Sequence, residues 1–489
     1  MKEPNPHFNT YHMSTLKPIQ LLVACCCCLA FFSLQTAAQN TGAATNQPIV
    51  IRNVQLITMD ESNSIIPNAS VLIVNHRIVA INDSIPKNAT IIDGKGKWLI
   101  PGLIDMHVHT VTDTGPFGPK YPSQGATLFF DLQDQMLPYI ANGVTTIFEL
   151  SARAEHFGQR NEIGKGAVIG PRMALAAMID GGEGQGRRVN TPEDGRQAVR
   201  SAKAEGYEFI KVYAYLNPST YYAIIEESKK QGLKVIGHIP DSFKGKLKEA
   251  FVPGFGMVAH AEELSNYAKD YSSAEATAMA ALLKANGTWF SPTLITMEAI
   301  AAQVRSLEPL KALPSLAYVH PLLQSKWLTA NKYNKMSSPE NIAHFEQYAV
   351  FNLELVKACD AAGVPIVAGT DAGTSGVIAG FSLPDELGLL VKAGLSPQAA
   401  LASATRLPAQ WLGMDKQVGS IEQGKLADLI LLDENPLIDI QNTRKIAGVM
   451  VNGNWVAKKT IQTMLADLAI RNNASKDQFD WKTFTSPKK

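Results

Sequence analysis

The sequence predicts an α/β protein: a (β/α)8 TIM-like barrel with a small β-sandwich domain formed by the N- and C-terminal segments. Three observations favour this fold. From Pro101 to about Gly413, short apolar runs alternate with helical patterns, as parallel strands with crossover helices do. On both sides of that region, β-type runs broken by Asn, Asp and Gly replace the alternation. The length of 489 residues accommodates one barrel, an appended module and a leader.

Residues 1–38 are predicted to be a signal peptide. Lys17 precedes an apolar run from Leu21 to Leu34, and the small residues Thr36 to Ala38 follow it. A run of roughly 14 residues suits an export signal and is short for a membrane span. The four consecutive cysteines, Cys25 to Cys28, lie inside this run, so they indicate neither a disulfide framework nor a zinc site.

We therefore expect an exported protein, periplasmic or secreted. Two alternatives stay open. Leu22 to Cys25 also fits a lipobox, which would attach a lipid to Cys25, and the run would otherwise remain as an uncleaved anchor. Unless it is lipidated or anchored, the mature form is not expected to bind membranes. It would keep only Cys359 and hence form no internal disulfide.

The β-sandwich domain is predicted from two separate stretches, residues 39–100 and 414–475. Val71–Val74 is typical of the first stretch, and Leu429–Leu432 of the second. The polar residues 476–489 are predicted to form a loosely ordered tail. The two stretches flank the barrel, so we expect the ends of the chain to meet in one domain.

The barrel is predicted over residues 101–413, with a helical insertion at about 297–343. The formal net charge is +1, whereas a nucleic-acid-binding protein would carry clustered Lys and Arg in excess. We therefore expect a small-molecule or dipeptide substrate and no nucleic-acid partner.

His107 and His109 stand two residues apart in the first predicted barrel strand. Side chains at that spacing face the same side of a strand, so both imidazoles would point into the barrel mouth toward one metal ion. Lys211 lies within the apolar run Phe209–Val212, where a buried amine is costly unless it is paired or modified. Pairing of the amine with an acidic group would offset this cost. Reaction of the amine with CO2 to form a metal-bridging carbamate would do so as well.

His238, His260 and Asp371 each end an apolar run. Barrels carry their chemistry at the carboxyl ends of their strands. Taken alone, each of these residues is more often a core or turn residue. Their occurrence in this order, together with His107, His109 and Lys211, predicts a metal-dependent catalytic centre.

This pattern resembles the amidohydrolase superfamily of metal-dependent hydrolases. The resemblance covers nearly the whole chain after the leader, including Pro101–His109, the Lys211 strand and Gly369–Asp371. Within the superfamily, the chain looks most like the branch that contains prolidase-like Xaa-Pro dipeptidases and imidazolonepropionase-related proteins.

The resemblance implies two divalent metal ions, with zinc as the default for nitrogen and oxygen ligands and manganese, iron and cobalt left open. One ion would be bound by His107, His109 and Asp371. The second would be bound by His238 and His260, and N6-carboxylated Lys211 would bridge the two. A metal-activated hydroxide would attack the carbonyl, and Asp371 would move its proton to the leaving nitrogen.

The expected function is hydrolysis of an amide bond in an Xaa-Pro dipeptide or an N-acyl amino acid. The alternatives are imidazolonepropionase-like hydrolysis of a cyclic amide, lactone or carbamate hydrolysis, and a catalytically dead barrel that acts as a binding protein. The resemblance also leaves a homo-oligomer open.

Four residues are candidates for contact with the substrate, each with ordinary packing or solvation as the alternative. Tyr213 would hydrogen-bond a substrate carbonyl or carboxylate. Arg187 and Arg188 end a Gly-rich loop that lacks the Lys-Ser/Thr of a phosphate loop, and they would capture a substrate carboxylate. His156 follows the second predicted barrel strand and would line the mouth.

Overall fold

A computed structural model of the chain describes residues 47–110 and 130–485. The predicted signal peptide, with Cys25, lies outside the described residues. Within the described ranges, every helix is too short or too polar to cross a membrane.

Strands in these ranges form two sheets. In chain order they are β1 (Ile49–Ile57), β2 (Ile65–Val74), β3 (Arg77–Ile81), β4 (Thr90–Asp93), β5 (Trp98–Pro101), β6 (Leu103–Val108), β7 (Val144–Glu149), β8 (Arg172–Asp180), β9 (Arg187–Arg188), β10 (Phe209–Val212), β11 (Lys234–Gly237), β12 (Phe255–Ala259), β13 (Trp289–Ser291), β14 (Leu429–Leu432), β15 (Ile446–Val451) and β16 (Asn454–Ala457).

Helices surround the barrel and connect it to the β domain. The α-helices are Leu132–Ala141, Ala154–Gly164, Pro192–Glu205, Pro218–Gln231, Leu247–Ala250, Glu262–Ser265, Ser273–Asn286, Leu294–Arg305, Glu308–Lys311, Pro321–Thr329, Pro339–Ala361, Leu383–Lys392, Pro397–Ser403, Arg406–Leu412, Lys458–Ser475 and Trp481–Thr485. Short 3-10 helices are Asp241–Phe243, Pro314–Tyr318, Asn334–Met336, Ile440–Arg444 and Lys476–Gln478.

The first sheet joins strands from both flanks of the barrel, residues 49–101 and 429–457, as the sequence predicts. Its order is β16-β15-β14-β5-β1-β2-β3, and β4 pairs with β1. The halves meet where β14 runs antiparallel to β5, with Ile430 opposite Ile100. Branched aliphatic side chains suit a pleated, half-buried surface. Residues from both halves, such as Val71 and Leu429, pack into one buried core.

The second sheet is the barrel, and its order is β13-β12-β11-β10-β8-β7-β6 with β9 beside β8. Its neighbours run parallel. A segment that we call the closing segment, residues 364–372, fills the gap between β13 and β6. It is bound there by isolated bridges of Ile366 to Phe290 and of Ala372 to Val108. The (β/α)8 prediction is therefore confirmed, with an extended segment in place of a regular eighth strand.

Gly369 explains how the closing segment approaches β6 so closely. A Cβ at this position would lie 2.9 Å from the His107 Cβ and 2.8 Å from the Ser291 Oγ. A larger residue would push the segment away from the barrel mouth. The closing segment can therefore carry Asp371 directly alongside His107 and His109.

The C-terminal stretch departs from its prediction in two respects. The predicted β stretch 414–475 ends in a helix, Lys458–Ser475, in which Ile461, Leu465 and Leu468 recur at helical spacing on the core side. The predicted loose tail contains a second helix, and the Nζ of Lys326 lies 4.8 Å from the centre of its Trp481 ring. Burial of these apolar side chains orders the chain beyond the β domain.

Candidate metal centre

The six residues predicted as metal ligands lie at the carboxyl ends of the barrel strands. They are His107 in β6, His109 just after it, Lys211 in β10, His238 after β11, His260 after β12, and Asp371 in the closing segment. His109 is partly accessible, whereas the other five are buried. The fold thus brings residues from distant parts of the chain to one end of the barrel.

His107, His109 and Asp371 converge on one point. The Nε2 atoms of the two histidines are 3.3 Å apart. The Oδ1 of Asp371 lies 3.3 Å from the Nε2 of His107 and 3.1 Å from the Nε2 of His109. Ligands held 2.0–2.1 Å from a tetrahedral ion are separated by about 3.3 Å. The spacing of these three atoms therefore fits a shared metal ion.

His260 and His238 adjoin this group. One ligand atom each from His107, His260 and Asp371 lies within 4.8 Å of the others, so His260 lies beside the first group of ligand atoms. The ring centres of His238 and His260 are 4.9 Å apart, and the Tyr213 ring lies 4.0 Å from that of His238. The predicted division of the histidines between two ions stays a prediction.

Two of these residues adopt backbone conformations that are uncommon outside glycine. His260 has φ of 73° and Asp371 has φ of 58°. A left-handed conformation costs a non-glycine residue roughly 1–2 kcal/mol. Such strain clusters at functional sites because the surrounding structure enforces it.

The Lys211 amine has no hydrogen-bond partner among the described residues, although the side chain is fully buried. Burial lowers the pKa of Lys211 to about 8, against the opposing charges of Asp371, Glu263 and Glu262. Burial, together with the Lys211 charge, also holds the pKa of His107 and His238 well below the usual range. A neutral imidazole is the form that binds metal.

Glu149, at the end of β7, is a site residue that the sequence analysis missed. It accepts hydrogen bonds from the backbone N–H and hydroxyl of Thr110, at 2.5 and 2.7 Å, and from those of Ser151, at 2.9 and 3.2 Å. Its Oε1 lies 3.5 Å from the Nδ1 of His109. Burial opposes ionisation, but the hydrogen bond and charge of His109 lower the pKa of Glu149 to about 2.

Glu149 therefore fixes the orientation of His109. The Nδ1 of His109 also lies 3.0 Å from the Ser151 hydroxyl, which itself donates to Glu149. These contacts assign the proton to Nδ1 and leave Nε2 facing Asp371. Glu149 directly follows the short β-type run Thr145–Phe148, and this position is the only signal for Glu149 in the sequence.

His156 lies one layer further out from the candidate ligands. Its Nδ1 accepts the backbone N–H of Arg153, so its Nε2–H donates to the Thr110 hydroxyl, 2.9 Å away. That hydroxyl donates to Glu149 in turn. The side chain is 2% exposed, so it supports the site from behind.

Glu263 is a second missed residue, and it stands behind His238. Its Oε1 lies 2.6 Å from the Nδ1 of His238, and its Oε2 accepts the backbone N–H of Ile239 at 2.8 Å. Burial raises the pKa of Glu263 to about 8. The Nδ1 of His260 is held by the Thr293 hydroxyl at 2.7 Å. Both histidines therefore present Nε2 toward the cluster.

Asp105 and Thr370 form a third missed contact, which ties β6 to the closing segment. The Thr370 backbone N–H and hydroxyl donate to Asp105 at 3.0 and 2.6 Å. The Thr374 hydroxyl donates to the Oδ2 of Asp371 at 2.9 Å and leaves Oδ1 to the histidines. Asp105 precedes His107 by two residues in the same strand. Strand alternation, which places the two side chains on one face, is therefore the sequence signal for Asp105.

The predicted substrate residues divide into two groups. Tyr213 lies beside His238, and burial raises the pKa of its hydroxyl, which therefore stays protonated and able to donate. Arg187 instead pairs with Glu205, and its guanidinium lies 5.4 Å from the Tyr207 ring centre. Arg188 is exposed on the short strand β9. The structure does not bring either arginine to the candidate ligands.

A barrel that gathers buried imidazole and carboxylate ligands at the carboxyl ends of its strands is the framework of a metal-dependent hydrolase. The sequence profile of the Amidohydrolase family matches residues 98–456, from β5 to β16. The chain belongs to the amidohydrolase family. It is accordingly a metal-dependent hydrolase that acts on carbon–nitrogen bonds.

Individual relatives are distant. The 5-methylthioadenosine/S-adenosylhomocysteine deaminase of Bacillus cereus (strain AH820) is 23% identical over 457 residues, covering 83% of this chain and 92% of the relative. The solved structure of an Xaa-Pro dipeptidase with bound methionine has a TM-score of 0.63 at 21% identity, covering 84% of this chain and 100% of that one. A bottromycin amidohydrolase has a TM-score of 0.67 at 19% identity, covering 87% and 90%.

Proposed function

We propose that this protein is an exported hydrolase that uses two metal ions, with zinc as the expected metal, to cleave an amide bond in a small substrate. An Xaa-Pro dipeptide or an N-acyl amino acid is the expected substrate class. Export is proposed from the leader, residues 1–38, because its apolar run and small terminal residues have the composition of a signal peptide.

The observation that carries this proposal is the convergence of His107, His109 and Asp371, with three further candidate ligands beside them. A catalytic zinc ion takes about three protein ligands. Six residues in one cluster are more than one ion needs, which favours two. Carboxylation of Lys211 would turn an unpaired buried amine into an anion with two oxygen ligands, which suits a place between the ions.

Bound metal ions would polarise the scissile carbonyl and lower the pKa of a water molecule toward neutrality. The residues of the chain supply the remaining steps. The Oδ1 of Asp371 faces the cluster and would accept the proton of the attacking water and then release it to the leaving nitrogen. The Tyr213 hydroxyl would donate to the substrate oxygen as negative charge develops there.

Hydrolytic deamination is the second candidate. The observation in its favour is the deaminase relative, which is 23% identical over most of both chains. Deamination also replaces a carbon–nitrogen bond by attack of water, so the same ligands would serve it. The substrate pocket decides between the two reactions.

A substrate screen of the metal-loaded protein tests the proposal. The panel contains Xaa-Pro dipeptides, N-acyl amino acids, a lactone and 5-methylthioadenosine, and Asp371→Asn is the matched inactive control. We expect amide substrates to give turnover that the control lacks. Turnover of 5-methylthioadenosine alone would replace this proposal by the deaminase, and turnover of the lactone alone would exclude amide hydrolysis as the principal activity.

A further inference from the structure

Asp180 is a fully buried acidic residue at the carboxyl end of β8, and it is not one of the candidate metal ligands. Its Oδ1 accepts the backbone N–H groups of Gly181 and Tyr215, each at 2.8 Å. Its Oδ2 accepts the backbone N–H of Gln185 at 3.0 Å. Hydrogen bonds from backbone N–H groups to a carboxylate are among the stronger ones in proteins, so Asp180 holds the segments that carry these donors.

The three donors belong to two different segments. Gly181 and Gln185 lie in the Gly-rich loop of residues 181–186, which we call the glycine loop. Tyr215 lies in a turn at residues 213–216, which we call the tyrosine turn, and it is 35 residues away from Asp180 in the sequence. The two segments pack so closely that a Cβ on Gly181 would lie 2.2 Å from the carbonyl oxygen of Tyr215. Asp180 therefore fastens the glycine loop to the tyrosine turn.

Tyr213 lies between two anchored points of the backbone. On one side of it, the Val212 carbonyl accepts the backbone N–H of His238 at 3.0 Å. On the other side, the Tyr215 N–H donates to Asp180. Among the described residues, no hydrogen bond holds the Tyr213 hydroxyl itself. Its position therefore depends on the backbone of the tyrosine turn and on the His238 ring, which lies 4.0 Å from the Tyr213 ring.

We propose that Asp180 is a positioning residue of the hydrolase, which acts through the tyrosine turn and holds the Tyr213 hydroxyl in place to donate to the substrate oxygen. The inference rests on the proposed function for the role of Tyr213, whereas the anchoring of the turn does not depend on it. A donor stabilises developing charge most when it is fixed beforehand, and a displacement of about 1 Å can cost about 10²-fold in rate. The glycine loop thus supports the turn, in place of the carboxylate capture that its arginines suggest.

Two variants disturb this contact from opposite sides. Asp180→Ala removes all three acceptors, and Gly184→Ala would place a Cβ 1.9 Å from the Oδ2 of Asp180 and displace it. We expect each to lower kcat for the amide substrate by about tenfold or more, with KM and metal content within about twofold of the wild type, because the Tyr213 hydroxyl acts on charge that develops in the transition state.

Two further variants serve as comparisons for these measurements. Asp180→Asn keeps an oxygen acceptor of the same reach, so we expect kcat within about threefold of the wild type. Glu183→Ala, at an exposed position in the glycine loop, is the matched control and should leave kcat unchanged. Gly184 lies in the same loop on the outside of the barrel, so Gly184→Ala keeps the test decisive if Asp180→Ala does not fold.

A Tyr213→Phe background separates positioning from general support of the fold. Tyr213→Phe alone should lower kcat by about 10²-fold, as loss of a transition-state donor does. Adding Asp180→Ala or Gly184→Ala should then lower kcat by less than about twofold more, because the hydroxyl that Asp180 positions is already gone. A purely structural role would give the same loss in both backgrounds, and that result would overturn the inference.

Fluorine NMR follows the position of Tyr213 without turnover. The metal-loaded protein is labelled with fluorotyrosine, and Tyr213→Phe identifies the Tyr213 resonance by its loss. We expect this resonance to shift or broaden in Asp180→Ala and in Gly184→Ala and to stay unchanged in Glu183→Ala. A Tyr213 resonance that Gly184→Ala leaves unchanged would contradict the inference.

The outcomes separate this inference from the proposed function. A Tyr213 resonance that depends on Asp180, in a protein that hydrolyses no amide, would keep Asp180 as the residue that positions Tyr213 and reject the amide hydrolase. Amide hydrolysis with a kcat that is indifferent to Asp180→Ala and Gly184→Ala would keep the hydrolase and reject the inference.

Discussion

Two buried glutamates stand behind histidines on opposite sides of the candidate metal centre, and their surroundings differ. Glu149, behind His109, accepts four hydrogen bonds from Thr110 and Ser151. Glu263, behind His238, accepts one backbone N–H, from Ile239, besides its contact with the imidazole. The pKa of Glu149 is lowered to about 2, whereas burial raises that of Glu263 to about 8.

The difference shows that the same pairing of carboxylate and histidine can be built in two ways. The hydrogen bond and charge of His109, helped by the Thr110 backbone N–H, hold Glu149 as an anion at neutral pH, and its four donors from Thr110 and Ser151 fix its position. Glu263 has too few donors to offset its desolvation, so its charge depends on its partner. A cation bound at the Nε2 of His238 would supply that stabilisation. We therefore expect the His109 side to be the more rigid one and the His238 side to depend more on metal.

Replacement of Glu149 should have the largest effect. Glu149→Ala removes the acceptor of four hydrogen bonds in a buried network, and we expect a loss of about 3–5 kcal/mol in the free energy of unfolding. Denaturant unfolding of the metal-free protein measures this. Glu263→Ala is the matched comparison and should cost less. An equal or larger loss for Glu263→Ala would contradict the contrast between the two sides.

Glu263→Gln should act mainly by weakening the binding of a metal ion. The amide keeps the size of the side chain but no longer provides a carboxylate for the Nδ1–H of His238. We expect affinity for one metal ion to fall by about 10–100-fold, the range seen when partners of metal-bound histidines are changed. Competition with a chelator measures the affinity. An unchanged affinity for both ions would mean that Glu263 only supports the fold.

Glu386 is a buried carboxyl group that does not stand behind a histidine, so it provides a comparison with Glu149 and Glu263. Among the residues that the structure describes, its Oε1 has no hydrogen-bond partner, and burial raises the pKa of Glu386 to about 8, above the ordinary 4.5. Between those pH values the folded state retains the proton and the unfolded state releases it. Stability therefore falls as pH rises from about 4.5 to about 8 and then levels off.

Glu386→Gln removes this dependence because the amide does not titrate. Relative to the wild type, the variant should gain about 1–3 kcal/mol in the free energy of unfolding on going from pH 5 to pH 9. Asp467→Asn, which alters an exposed carboxylate on helix Lys458–Ser475, is the control and should leave the pH profile unchanged. Parallel wild-type and Glu386→Gln profiles would show that Glu386 titrates alike in both states.

Arg187→Ala should have the smallest effect. Arg187 is paired with Glu205 away from the candidate ligands, and surface pairs contribute about 0–1 kcal/mol. We expect kcat/KM of the preferred substrate to change by less than about twofold. A large rise in KM would restore the role in carboxylate capture that the sequence suggests.

The sequence was sufficient for the barrel, the split β domain and the strand-end positions of the candidate ligands, because strand period and apolar runs reflect burial directly. It did not reveal Glu149 or Glu263, which lie behind the ligands and acquire their role only when distant strands come together. The helix Lys458–Ser475 was missed although Ile461, Leu465 and Leu468 have helical spacing. The pairing of Arg187 with Glu205 could not be predicted, because only the fold brings these two residues together.

The number of bound metal ions tests the central claim most directly. Metal analysis of the purified wild-type protein beside Lys211→Ala, with Lys234→Ala as a control for loss of a lysine outside the cluster, gives the count per chain. We predict close to two ions in the wild type and in the control, and no more than one in Lys211→Ala. One ion or none in the wild type, or two retained in Lys211→Ala, would contradict a binuclear centre bridged by Lys211.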